Sequence, residues 1–94
     1  MSAEQERQAR AMMLLDYVES KQRLLLLQEQ AHSLGIELEG LSRLLQDDPQ
    51  NISIASYGQL LDNKRLNDLV ADISEAFTET ERLRMILNQL GLDV

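Results

Sequence analysis

Residues 13–45 read MLLDYVESKQRLLLLQEQAHSLGIELEGLSRLL. Apolar side chains recur through this stretch in steps of four and three: Met13, Tyr17, Leu24, Leu27, Ala31, Leu34, Leu38, Leu41 and Leu45, with Ser20 the one polar member of the series. A repeat averaging 3.5 residues holds one edge of a helix against a neighbouring helix over many turns. A second series does the same: Leu66, Leu69, Ile73, Ala76, Thr80, Leu83, Leu87, Leu90 and Val94, with Thr80 its one polar member. The pattern predicts two long helices joined along an apolar seam. It names no chemistry.

Composition agrees with that architecture. Ninety-four residues make one domain at most, and 44% apolar content is enough to fold. Aromatic residues are only 3%, with one Pro and no Trp in a Leu-rich chain, which suits helices and starves a β-sandwich. A chain of this size buries only about two-thirds of its unfolded surface, so a slender hairpin is marginally stable alone and self-association is expected. The formal charge of -7, from 16 acids against 9 bases, opposes binding to nucleic acid or an anionic membrane. It leaves two uses for the acidity, solubility and a basic protein partner.

Other classes fall away in turn. With no cysteine there is no disulfide, no thiol catalysis and no Cys-based zinc site. The polar start, Met1-Ser2-Ala3-Glu4-Gln5-Glu6-Arg7, has the form of neither a signal peptide nor a membrane span, and the apolar tetrad Leu24 to Leu27 is too short to cross a bilayer. The expectation is a soluble, cytoplasmic protein. In that setting the Asn51-Ile52-Ser53 glycosylation pattern reads as chance.

The whole chain, 1–94, reads as a single helical domain. Helix 1 is expected over about 4–46. Gly35 and Gly40 weaken it by up to about 1 kcal/mol each, yet the phase passes both unshifted from Leu34 to Leu38 to Leu41, so the helix should continue, with Gly35 the place for any bend. Asp47-Asp48-Pro49 stops it, because Pro forces its predecessor out of the α region. The connection, 47–56, carries Ile52 and Ile54, which are expected to fold against the end of the bundle rather than pair as a strand. Helix 2 is expected over about 57–91. Ser56-Tyr57-Gly58-Gln59 has the form of a capping box at its start, Asp62-Asn63 offers a rival start, and Gly91 suits a left-handed cap.

The predicted fold is therefore all-α: a long antiparallel, coiled-coil-like helical hairpin that forms a four-helix bundle as a homodimer. Centring the turn on the connection gives facing residue numbers that add to about 104. That register sets Leu38 against Leu66, Ala31 against Ile73, Leu24 against Thr80 and Leu14 against Leu90, and brings Arg23 toward Glu79. One seam does not use all the apolar residues. Leu14, Leu15, Val18, Leu25 and Leu26 on helix 1, and Phe77, Met85 and Ile86 on helix 2, lie beyond it near one end. Each forgoes about 1.5–3 kcal/mol if left in water. These residues are the expected interface, with a second copy as the simplest cover.

Two charged patterns are candidate sites. Asp68, Asp72, Glu75 and Glu79 step along helix 2 as an acidic edge, read as a solvated face or as a docking strip for a basic partner. Glu29 and His32 have the Glu-x-x-His spacing of di-metal bundles. The phase set by Leu27 and Ala31 turns both outward, so no metal site is expected in the bundle interior. With one histidine and no glycine-rich phosphate loop, no catalytic set can be assembled, and no cofactor is expected. The expected function is a non-enzymatic protein–protein interaction or assembly module. Two alternatives are a small chaperone that shields an amphipathic or unfolded segment, and a metal-binding four-helix-bundle protein using Glu29 and His32.

Overall fold

The computed structural model describes residues 2–52, 58 and 62–94. Helix α1, Ala3–Asp47, is one unbroken helix of 45 residues that runs through both Gly35 and Gly40. It starts in a capping box: the Ser2 hydroxyl accepts from the Gln5 N–H at 3.2 Å, and the Gln5 side chain accepts from the Ser2 N–H at 3.3 Å. Glu4 and Glu6 in the first turn suit the positive end of the helix dipole. At the other end the Asp48 N–H still donates to the Leu44 carbonyl, and Pro49 then opens a single 3-10 turn, Pro49–Asn51. Ile52, just after it, is partly buried, and no strand occurs among the described residues. Ile54 lies outside them.

Helix α2, Asn63–Gln89, starts later than the expected 57. Asp62 caps it, with extended backbone and a carboxylate that accepts the Lys64 N–H at 3.0 Å. A side chain so placed satisfies one of the free N–H groups of the first turn, which makes Asp62 the boundary. Of the rival capping box, Gly58 sits in a turn, while Ser56, Tyr57 and Gln59 lie outside the described residues. The C-terminal end closes as a Schellman motif. Gly91 takes φ +87°, the Leu92 N–H donates to the Leu87 carbonyl at 2.9 Å, and the Gly91 N–H donates to the Asn88 carbonyl at 3.1 Å. The reversal lays Leu92 on the core formed by Tyr17, Leu83 and Leu87, which Met13 also covers.

The two helices run antiparallel in a body of 70 × 20 × 14 Å. Their register differs from the expected one. Ser20 Oγ meets Thr80 Oγ1 at 2.7 Å, and facing residues follow the same rule as 20 and 80, adding to 100. Leu66 therefore stands level with Leu34 rather than Leu38, Ile73 with Leu27 rather than Ala31, and Leu90 with residue 10 rather than Leu14.

The reason is geometric. Along α1 the seam steps 17, 20, 24, 27, and running backwards along α2 it steps 83, 80, 76, 73, so every three-residue step meets a three-residue step. A register adding to 104 sets threes against fours and drives the layers out of phase. The adopted register also pairs the one polar residue of each seam and sets small against large, Ala76 beside Leu24 and Ala31 beside Leu69.

Burial follows the seam. Tyr17, Leu24, Leu34 and Leu41 on α1 and Ala76, Thr80, Leu83 and Leu87 on α2 are the buried positions, and Leu87 and Ala76 are completely enclosed. No described helix is long and apolar enough to cross a membrane.

Candidate functional site

The hairpin has two broad faces, one on each side of the seam, and the ion pair between Arg23 and Glu75 at 3.8 Å identifies one of them. Arg23 was expected to reach Glu79. In the observed register Arg23 stands between Glu75 and Glu79, and Glu79 is already engaged by Arg82 on its own helix, with contacts of 2.6 and 3.0 Å. That guanidinium holds the Glu79 carboxyl below its ordinary value, chiefly through the hydrogen bond. The acidic edge is thus partly neutralised. Asp68 pairs with Lys64 at 3.3 Å, Glu75 with Arg23 and Glu79 with Arg82, and Asp72 stands between them.

The other face is apolar. Helical phase places Leu14, Val18 and Leu25 of α1 on the side away from Arg23, and Val70 and Phe77 of α2 fall on that same side. All five are exposed, Phe77 by 54%. The charges at this end of the face are few. Lys21 leans over the Tyr17 ring, 5.9 Å from its centre, and Glu81 is held by Arg84 on the same helix with contacts of 2.8 and 3.2 Å. The Arg84 hydrogen bonds lower the Glu81 pKa, and the pair presents no net charge.

This phase divides the eight residues expected at an interface. Leu14, Val18, Leu25 and Phe77 share the apolar face. Leu15 and Met85 lie on the outer backs of their helices, while Ile86, half-buried, and Leu26, exposed by 60%, fall on the charged side. Val70 was missed, although its place seven residues before Phe77 repeats the phase of that residue. The signal was in the sequence, but only the antiparallel pairing says that a side stripe on α1 and one on α2 form a common face.

On the charged side the burial of the α2 seam falls off toward the start of that helix. Ala76, Thr80, Leu83 and Leu87 are buried, Ile73 and Leu69 only partly, and Leu66 is 39% exposed. An open trough of about 880 Å³ lies there. Leu34 and Leu69 line it, and carboxylates stand on both walls.

Glu29 and His32 are both exposed. Among the described residues no three His, Cys, Asp or Glu side chains converge into a set that could hold a metal ion. No protein-family model, curated protein or solved structure gives a significant match to the chain.

Proposed function

We propose that this protein is a non-enzymatic interaction or assembly module whose working unit is a homodimer of the hairpin, a four-helix bundle closed over the apolar face. One observation carries the reading: Leu14, Val18, Leu25, Val70 and Phe77 form a charge-poor apolar strip on one face, while most carboxylates between the helices lie on the other. Each large side chain in the strip gains about 1.5–3 kcal/mol on leaving water. Two chains of charge -7 repel one another, so they meet best where charge is lowest, and the apolar strip is that place. A two-fold axis would set the strip against itself, in the usual geometry of a soluble dimer.

Sedimentation equilibrium at micromolar concentration tests the idea. The parent chain should be dimeric, and Phe77→Glu with Leu25→Glu should give a helical monomer. A parent chain that sediments as a folded monomer overturns the dimer.

A second reading is favoured by the exposure of Met12 and Met85 by 68% and 55%. Methionine side chains are flexible and polarizable and suit adaptable apolar contacts, as a chaperone that shields an amphipathic segment requires. Strong hydrophobic-dye binding by the native dimer supports this use, and a dimer that binds no dye argues for the assembly module. The metal-binding alternative draws no support from the placement of Glu29 and His32.

A further inference from the structure

The trough on the charged side is the second opening of the hairpin, and its character differs from that of the apolar strip. Exposed Leu26 and partly buried Leu69 line its apolar part, with Leu34 buried beneath them. Glu29 and Glu37 stand on the α1 wall, Asp68 and Asp72 on the α2 wall. Five carboxylates line it against two bases, Lys64 and Arg65. The α1 wall from residue 26 to 37 extends about 16 Å at 1.5 Å per residue, which matches three turns of a helix laid alongside it.

We propose that this trough docks a basic amphipathic helix of another protein, apolar residues down on Leu26 and Leu69 and Lys or Arg toward both walls. The proposal rests on the interaction-module reading and names the chemistry of its partner. Charge complementarity selects the occupant. A second copy of this chain would bring its own excess of acid against acidic walls, and nucleic acid or an anionic lipid surface would be repelled in the same way. A bound divalent ion is disfavoured because no three potential ligands converge among the described residues. An apolar stripe fitted to a groove, with flanking charges matched to its rims, is a recurrent mode of helix recognition.

The test uses the full chain and three synthetic peptides of about 14 residues, long enough to span the wall as helices. One is an amphipathic helix of Leu and Lys, one has the same composition scrambled so that no apolar face forms, and one carries Glu in place of Lys. Fluorescence anisotropy at about 0.15 M salt suppresses diffuse attraction. The amphipathic Lys peptide should bind at least tenfold more tightly than the scrambled one. Amide NMR shifts should concentrate around Leu26 and Leu69. Glu37→Lys with Asp72→Lys should weaken that peptide at least tenfold and improve binding of the Glu peptide, a gain that an unfolded variant would not give. Circular dichroism checks the helices, and Glu4→Lys with Glu6→Lys, remote from the trough, should leave binding unchanged. Equal binding of the scrambled peptide, or shifts confined to the Leu14, Val18 and Phe77 face, overturns the proposal. Sedimentation of the same samples separates the two ideas: a dimer that takes no peptide defeats the trough alone, while a folded monomer defeats the dimer.

Discussion

Ser20 and Thr80 share a hydrogen bond of 2.7 Å across the hairpin, and its direction is fixed by a second bond. Thr80 Oγ1 donates its single proton to the Ala76 carbonyl on its own helix, also at 2.7 Å, so the Ser20 hydroxyl must donate to Thr80. Each seam has one polar position, and here the two meet, one turn from the enclosed Ala76. Without Thr80 the partly buried Ser20 hydroxyl would lose its acceptor across the seam.

Thr80→Val should therefore destabilise the protein by about 0.5–1.5 kcal/mol, because Ser20 loses its acceptor, and adding Ser20→Ala should recover part of that loss. Urea unfolding of both single variants and the double variant, at one protein concentration, gives the coupling. The register has its own check. Ser20→Cys with Thr80→Cys should oxidise readily to a disulfide, whereas Leu24→Cys with Thr80→Cys, the pairing of a register adding to 104, should stay reduced.

Gly35 and Gly40 sit inside α1, and a Cβ built on either meets nothing within 4 Å. Alanine there gains helix propensity without a clash, so Gly35→Ala and Gly40→Ala should each stabilise by up to about 1 kcal/mol. Thermal unfolding followed by circular dichroism measures it. A fall in melting temperature would mean that the helix must flex at these positions.

The C-terminal closure should be sensitive in a graded way. Leu87 is fully buried, and Leu87→Ala should cost about 2–5 kcal/mol through lost contact and the cavity left behind. Gly91→Ala meets no steric neighbour but must hold φ +87°, a cost of about 1–2 kcal/mol. Denaturant midpoints of the two variants should fall in that order, with Leu87→Ala the weaker protein.

Acid should weaken the Glu79–Arg82 and Glu81–Arg84 pairs of α2. The Arg82 and Arg84 hydrogen bonds hold Glu79 and Glu81 below the ordinary carboxylate value of 4.5. A carboxylate with a depressed folded pKa stabilises above its unfolded value and loses that contribution as pH falls through the folded one. Glu79→Gln with Glu81→Gln should thus melt below the parent at neutral pH, and the gap should close in acid well below 4.5. Because both pairs face solvent, the gap itself should be small. A gap that persists unchanged in acid would show that the substitutions act through something other than these ion pairs.

Local spacing carried much of the fold. The series from Met13 to Leu41 fixed the buried edge of α1 and its passage through Gly35 and Gly40, because a periodic apolar edge costs more to interrupt than two glycines cost to retain. Gly91 as a left-handed cap was equally legible, since only glycine takes that backbone without strain. The start of α2 was less so. Two capping signals competed, and a cap contributes only about 1 kcal/mol, too little for sequence alone to decide between them.

Register was legible in the same spacing. The step pattern of two antiparallel seams already favours a register adding to 100 over 104, and Ser20 with Thr80 selects it; the length of an irregular connection is a poor ruler for the same quantity.

The sequence by itself determined that two long helices form and which edge of each is buried, because both follow from periodicity within one segment. Only the tertiary structure decided what lies on either side of that edge. Pairing α1 with α2 joined Leu14, Val18 and Leu25 to Val70 and Phe77, drew Arg23 to Glu75, and set Glu29 and Glu37 across a trough from Asp68 and Asp72. A face shared by two helices depends on their relative direction and register, and those are properties of the pair.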